Sequence, residues 1–148
     1  MADSIARGAL SVASVECAVK SAETVSKEDL IASAAIIAGS PSYLGTMASD
    51  IKKVFEKNIG IRDKMCGKVG AAFASAAANP GGAETTILSI IQAMMIYGMI
   101  ITGAPVSSAS GYYGAAGAKY CKEDEIERDC FELGKRAALT ASKLAAGE

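Results

Sequence analysis

The chain has 148 residues, room for one domain and little more, and its 51% hydrophobic and 21% charged content argues against intrinsic disorder. Its 15 Lys+Arg against 16 Asp+Glu leave a net charge of −1, which supplies no general electrostatic drive toward nucleic acid or an anionic membrane. The absence of histidine excludes His-based triads, His general bases and His-ligated metal sites.

Residues 11–19 alternate loosely and carry Val12, Val15 and Val19, a strand pattern. Residues 26–33 read as a helix opened by a capping box, with Ser26 accepting from the backbone of Asp29 and the Asp29 carboxylate accepting in return. Residues 34–39 are a continuous apolar run closed by Ser40-Pro41, as in a strand buried on both faces. Residues 46–57 place Met47, Ile51, Val54 and Phe55 on one helical face and Lys52, Lys53, Glu56 and Lys57 on the other. A third strand is expected over residues 68–75, closing at residues 79–82, and a mostly apolar helix over residues 84–97. Residues 98–103 make a fourth strand. Residues 122–146 form a long helix with an acidic start and an inward stripe of Ile126, Cys130, Leu133 and Ala137. Strand and helix alternate throughout, so the expected fold class is α/β, one domain with a parallel sheet and helices on both faces.

The four cysteines, Cys17, Cys66, Cys121 and Cys130, form no C-x-x-C pair, so no metal site is expected. The amino terminus has neither a basic start nor an apolar run, so no secretory signal is read there, and a cytoplasmic chain with free thiols is expected. Residues 85–118 carry no charge, and residues 87–106 are apolar enough to resemble a membrane span. Gly98 and Pro105 interrupt that stretch, however, and a helix running into a core strand explains it better than a span does.

Ligands of open α/β sheets bind at the carboxyl ends of the strands. Three loops rich in small residues fall there: residues 39–47, 75–82 and 107–114. Their backbone donors, hydroxyls and tyrosine faces suit a flat, mostly uncharged heteroaromatic ligand.

At these loops the chain resembles the flavodoxin-like superfamily, above all the branch of short flavodoxins and Trp-repressor-binding-protein-type NAD(P)H:quinone oxidoreductases. The resemblance rests on A-I-I-A-G-S-P-S-Y-L-G-T-M (residues 35–47), A-S-A-A-A-N-P-G-G-A-E-T-T (74–86), Y-G-M-I-I-T-G-A-P (97–105) and G-Y-Y-G (111–114). It implies a flavodoxin-like three-layer sandwich and FMN as cofactor. The loop of Ser40, Pro41 and Ser42 would cradle the isoalloxazine ring. Backbone groups of Leu44, Gly45 and Thr46 would meet its polar edge, with Thr46 opening the next helix. Tyr43 or Tyr113 would contact the ring, and Ser75, Asn79, Gly81 and Gly82 would border its other side. Pro80 stands where many quinone reductases of this branch carry a histidine, which removes a residue expected to position a quinone or nicotinamide.

The resemblance also implies a first central strand and a phosphate-binding loop. Residues 1–9 already look like the end of the helix that follows that loop. The first strand is therefore expected to be missing, leaving residues 11–19 and 34–39 beside a gap. They would close on each other, receive another chain, or keep unpaired backbone. FMN is expected to bind weakly or not at all. The implied function is FMN-dependent redox chemistry, with a redox partner protein or with NAD(P)H and a quinone. The alternative is a cofactor-free or truncated module acting through protein contacts, including a homo-oligomer.

Overall fold

A computed structural model of the chain describes residues 1–78, 81–109, 111–119 and 121–147. In chain order the elements are α1 (Ala2–Leu10), α2 (Lys27–Ala32), β1 (Ala35–Tyr43), β2 (Thr46–Met47), α3 (Ser49–Lys57), a 3-10 turn (Ile59–Ile61) and α4 (Arg62–Met65). They continue with β3 (Val69–Ala76), α5 (Ala83–Ile96), β4 (Ile100–Ile101), β5 (Ala115–Ala118) and α6 (Glu123–Ala146).

The sheet runs β2-β1-β3-β4, with β5 also paired to β3. β1 and β3 lie parallel, in register from Ala35↔Val69 to Pro41↔Ser75. β4 pairs with the start of β3 and β5 with its end, both parallel, so the last strand position is filled in two pieces. Among the described residues only the short β2 runs antiparallel, folded back on the end of β1.

Strand alternation sends Ile36, Ala38, Ala72 and Ala74 into one core with α5 residues Ile87, Ile90, Ile91 and Met94. The intervening Ala35, Ile37, Val69, Ala71 and Phe73 pack on the other face with Ile5 of α1 and Cys130, Leu133 and Ala137 of α6. Both faces are covered, which is why these strands read as unbroken apolar runs. The result is the three-layer α/β sandwich expected from the sequence, with a mixed sheet. The capping box of α2 forms as read: the Asp29 amide donates to Ser26 Oγ at 3.1 Å, and the Ser26 amide donates to Asp29 Oδ2 at 2.8 Å. Among the described residues no helix is long and apolar enough to cross a membrane.

Three expectations need correction. Residues 11–19 form no strand; after a turn with Ser14 at φ +62, the chain runs largely exposed and without regular secondary structure. β1 bonds β3 on one side, while its other edge pairs with β2 only at Ser42 and Tyr43. An open groove of about 920 Å³ lies between that edge and this irregular segment, walled by Ala137 and Ala141 of α6 and by Val54 and Phe55 of α3. The valines thus have no neighbouring backbone to pair with. Second, Thr46 does not open a helix: residues 40–47 form a β-hairpin, and α3 begins at Ser49. Third, the strand expected over residues 98–103 is only Ile100–Ile101, and β5 completes its place along β3.

Candidate functional site

The hairpin joining β1 to β2 has a two-residue turn, Leu44 at φ +53 and Gly45 at φ +74. Two positive φ values match the twist of a tight hairpin, but leucine rarely occupies this region. Leu44 is also fully exposed, at 104% of its reference area, so no core packing accounts for its conformation. The conformation is set by the two-residue turn, which calls for positive φ at both of its positions.

Hydrogen bonds fasten this hairpin to the start of α5. Ser42 Oγ lies 3.1 Å from Gly81 O, 3.0 Å from Gly82 O and 2.8 Å from Thr86 Oγ1. Having one proton, it donates to one carbonyl at a time and can accept from the threonine. The Met47 amide donates to Ser89 Oγ at 3.0 Å, and Ser89 Oγ donates to Thr86 O at 2.7 Å. Gly82 holds the N-cap position of α5 at φ +77. A Cβ there would stand 3.0 Å from Gly45 Cα, so the two loops touch where only glycines fit.

The third loop reaches the same helix end. A Cβ on Gly111 would lie 3.7 Å from Glu84 Oε1, just as one on Gly45 would lie 3.4 Å from Thr85 Oγ1. The hairpin and the 102–114 loop therefore flank the first turn of α5. Tyr43 (62% exposed) stands on the hairpin and Tyr113 (47%) on the loop. Residues 39–47, 75–82 and 102–114 contain no charged side chain.

The sequence-predicted residues separate into groups. Ser42, Gly45, Gly81 and Gly82 converge, with Tyr43 and Leu44 projecting beside them. Ser40 turns inward: it is buried, its Oγ donates to Pro41 O, and it accepts from the Ala48 amide at 2.7 Å, closing the start of α3. Ser75 shares the strand parity of Ala71 and Phe73, so it falls on the α6 side. There it lines a separate recess of about 420 Å³ with Met1, Lys119 and Cys121. Thr46 belongs to β2, and Pro41 closes the β1–β3 register opposite Ser75. Asn79, like Pro80, lies outside the described residues. Thr86 and Ser89 were not among the predicted site residues. Two small polar residues three apart on an apolar helix were the available signal.

Chemically, the edge offers backbone, hydroxyl and aromatic surface without formal charge, save Glu84 in the first turn of α5. That suits a neutral planar ring. None of the three loops supplies a lysine or arginine, so a phosphate held there would rest on backbone N–H groups and hydroxyls alone.

No protein-family model matches the chain. Individual relatives do. An NAD(P)H dehydrogenase (quinone) of Archaeoglobus fulgidus is 38% identical over 132 residues, covering 85% of this chain and 69% of that protein. A flavodoxin of Aquifex aeolicus is 30% identical over 144 residues, covering 93% of this chain and 77% of that protein. Among solved structures, a flavodoxin, WrbA-like protein from Agrobacterium tumefaciens superposes with a TM-score of 0.74 at 21% identity, covering 95% of this chain and 87% of that one. A flavodoxin from the domain Archaea matches with the same TM-score at 23% identity and the same coverage. The structural matches define the class: an α/β sandwich with the flavodoxin fold. The sequence relatives narrow it further, and the chain belongs to the flavodoxin-like superfamily, in its short NAD(P)H:quinone oxidoreductase branch.

Proposed function

We propose that this chain is a flavin-binding redox protein that holds the isoalloxazine ring at the carboxyl edge of its sheet. The observation carrying this reading is the convergence of the hairpin, the Gly81–Gly82 turn and the 102–114 loop on the start of α5, with no charged side chain in any of them. Backbone groups of Leu44 and Gly45 would face the polar edge of the ring, and Tyr43 and Tyr113 would offer it aromatic faces. Gly81 and Gly82 would allow close approach. A bound flavin supplies the electron chemistry, and the protein's part is to orient the ring and exclude water from it. NAD(P)H and a quinone are the proposed reactants, following the name carried by the Archaeoglobus relative. The phosphate of FMN contributes little in this reading.

Titration with riboflavin, followed by its visible absorption and fluorescence, tests the proposal. Saturable binding that the double variant Tyr43→Ala/Tyr113→Ala weakens by about tenfold, or about 1.4 kcal/mol, is expected. No saturable binding by the unmodified chain up to the solubility limit of riboflavin would overturn it. The groove beside β1 favours one other reading, a cofactor-free module acting through protein contacts. That reading predicts a colourless protein and a molar mass in light scattering that rises with concentration.

A further inference from the structure

The chain leaves the β3 ladder after β4 and rejoins it at β5, and of the residues between, 102–109 and 111–114 are described. Both ends of this excursion are pinched. A Cβ on Gly103 would lie 2.7 Å from Tyr112 O, and one on Gly114 would lie 2.0 Å from Ala72 O. The Ala104 amide donates to Tyr112 O at 3.0 Å and closes the neck, while the Ser108 amide donates to Pro105 O at 2.9 Å. A loop whose ends meet in this way is of the Ω type. It exposes Val106, Tyr112 and Tyr113, so its large side chains do little to hold it against the core.

Asp129 reaches it from beneath. This residue sits in α6 with 2% of its surface exposed, although its sequence neighbour Arg128 is exposed. Asp129 Oδ2 accepts the Ala109 amide at 2.8 Å, and Oδ1 lies 3.3 Å from an Arg128 guanidinium nitrogen. Burying a carboxylate is costly unless hydrogen bonds compensate it. An apolar residue would suit this helix position better if the loop needed no holding.

We infer that Asp129 is a positioning residue, which latches the Ω-loop through the Ala109 amide and thereby fixes where Tyr112 and Tyr113 stand at the ligand edge. The latch is independent of any ligand. Its consequence for ring binding rests on the flavin reading above.

Hydrogen exchange read by mass spectrometry on the full chain tests the latch, with Asp129→Leu and Asp129→Asn beside the unmodified protein. Leucine fills the site without an acceptor, whereas asparagine keeps an oxygen for the Ala109 amide. Amides of the 104–112 peptide should exchange about tenfold or more faster in Asp129→Leu, with β3 amides unchanged as the control for global folding. Asp129→Asn should restore most of the protection. Riboflavin fluorescence at saturation supplies the second readout: quenching by the tyrosines should fall in Asp129→Leu and return in Asp129→Asn. Loop exchange in Asp129→Leu equal to that of the unmodified chain would overturn the latch. Faster loop exchange with undiminished quenching would overturn the positioning role. If the unmodified chain binds no riboflavin, the flavin reading and the positioning role fall together, and the exchange data still decide the latch.

Discussion

Ser42 shows how much a single hydroxyl can organise. It sits where β1 ends, and its Oγ reaches two carbonyls and a threonine at the start of α5. Ser42→Ala removes that tie and leaves Gly81 O and Gly82 O without it. A loss of about 1–2 kcal/mol in urea unfolding is expected, along with weaker riboflavin binding. A loss of stability with unchanged binding would show that the tie serves the fold alone. At the opposite end of the sheet, Asp29 couples α2 to solution pH. A 2.7 Å bond from Lys20 Nζ, aided by the Ser26 amide and hydroxyl, holds its carboxyl down from the ordinary 3.8 to about 2. Because the folded value lies below the unfolded one, the ionised form favours folding. The contribution is fully present above about pH 5 and fades as pH falls from about 4 toward 2. Urea midpoints of the unmodified chain and Asp29→Asn should differ at pH 6 and converge near pH 2. A gap that stays constant over that range would remove the linkage.

α1 and α6 cross on two glycines. A Cβ on Gly8 would stand 1.9 Å from Phe131 O, and one on Gly134 would stand 2.0 Å from Ile5 O. Each helix thus lays backbone against backbone, and Gly134→Ala must push α1 off the α6 face. A loss of about 1–3 kcal/mol is expected from such overpacking, read as a lower urea midpoint. An unchanged midpoint would mean that the close crossing of α1 and α6 tolerates a methyl group and does not limit stability. The elements legible in the sequence were those specified locally. The Ser26–Asp29 box announced α2, and the Ile126, Cys130, Leu133, Ala137 stripe announced α6. The unbroken apolar runs likewise announced β1 and β3, but elements without such a local signature, whose state depends on a particular neighbour, were not legible. Residues 11–19 carry strand-forming valines, but no ladder forms without a neighbouring strand. The hairpin hid behind Ser40, Pro41 and Ser42, which read as loop punctuation, and its Leu-Gly turn lacks the usual Asn-Gly signature. β5, Ala-Ala-Gly-Ala, has no strand-favouring residue and exists because β3 offers it an edge. The site divided in the same way. Its loop glycines were visible, whereas the placement of Ser75 depended on strand parity and the latch of Asp129 lay within a charged helix.

Beside the small recess at Ser75, two larger open features mark the sheet among the described residues. One is the carboxyl edge, where uncharged loops gather around α5; the other is the groove of about 920 Å³ between the edge of β1 and the irregular segment before α2. Together they describe a flavodoxin-type sandwich whose carboxyl-edge loops carry no charged side chain; under the proposed function, that edge holds the ring. Ring and phosphate should therefore contribute separately to affinity, with nearly all of it from the ring. Parallel titrations of the 148-residue chain with riboflavin and FMN at low ionic strength measure this directly. Saturable binding of both, with dissociation constants within about threefold, or about 0.7 kcal/mol, is the predicted result. FMN binding about a hundredfold tighter than riboflavin, or no binding of either, would contradict it.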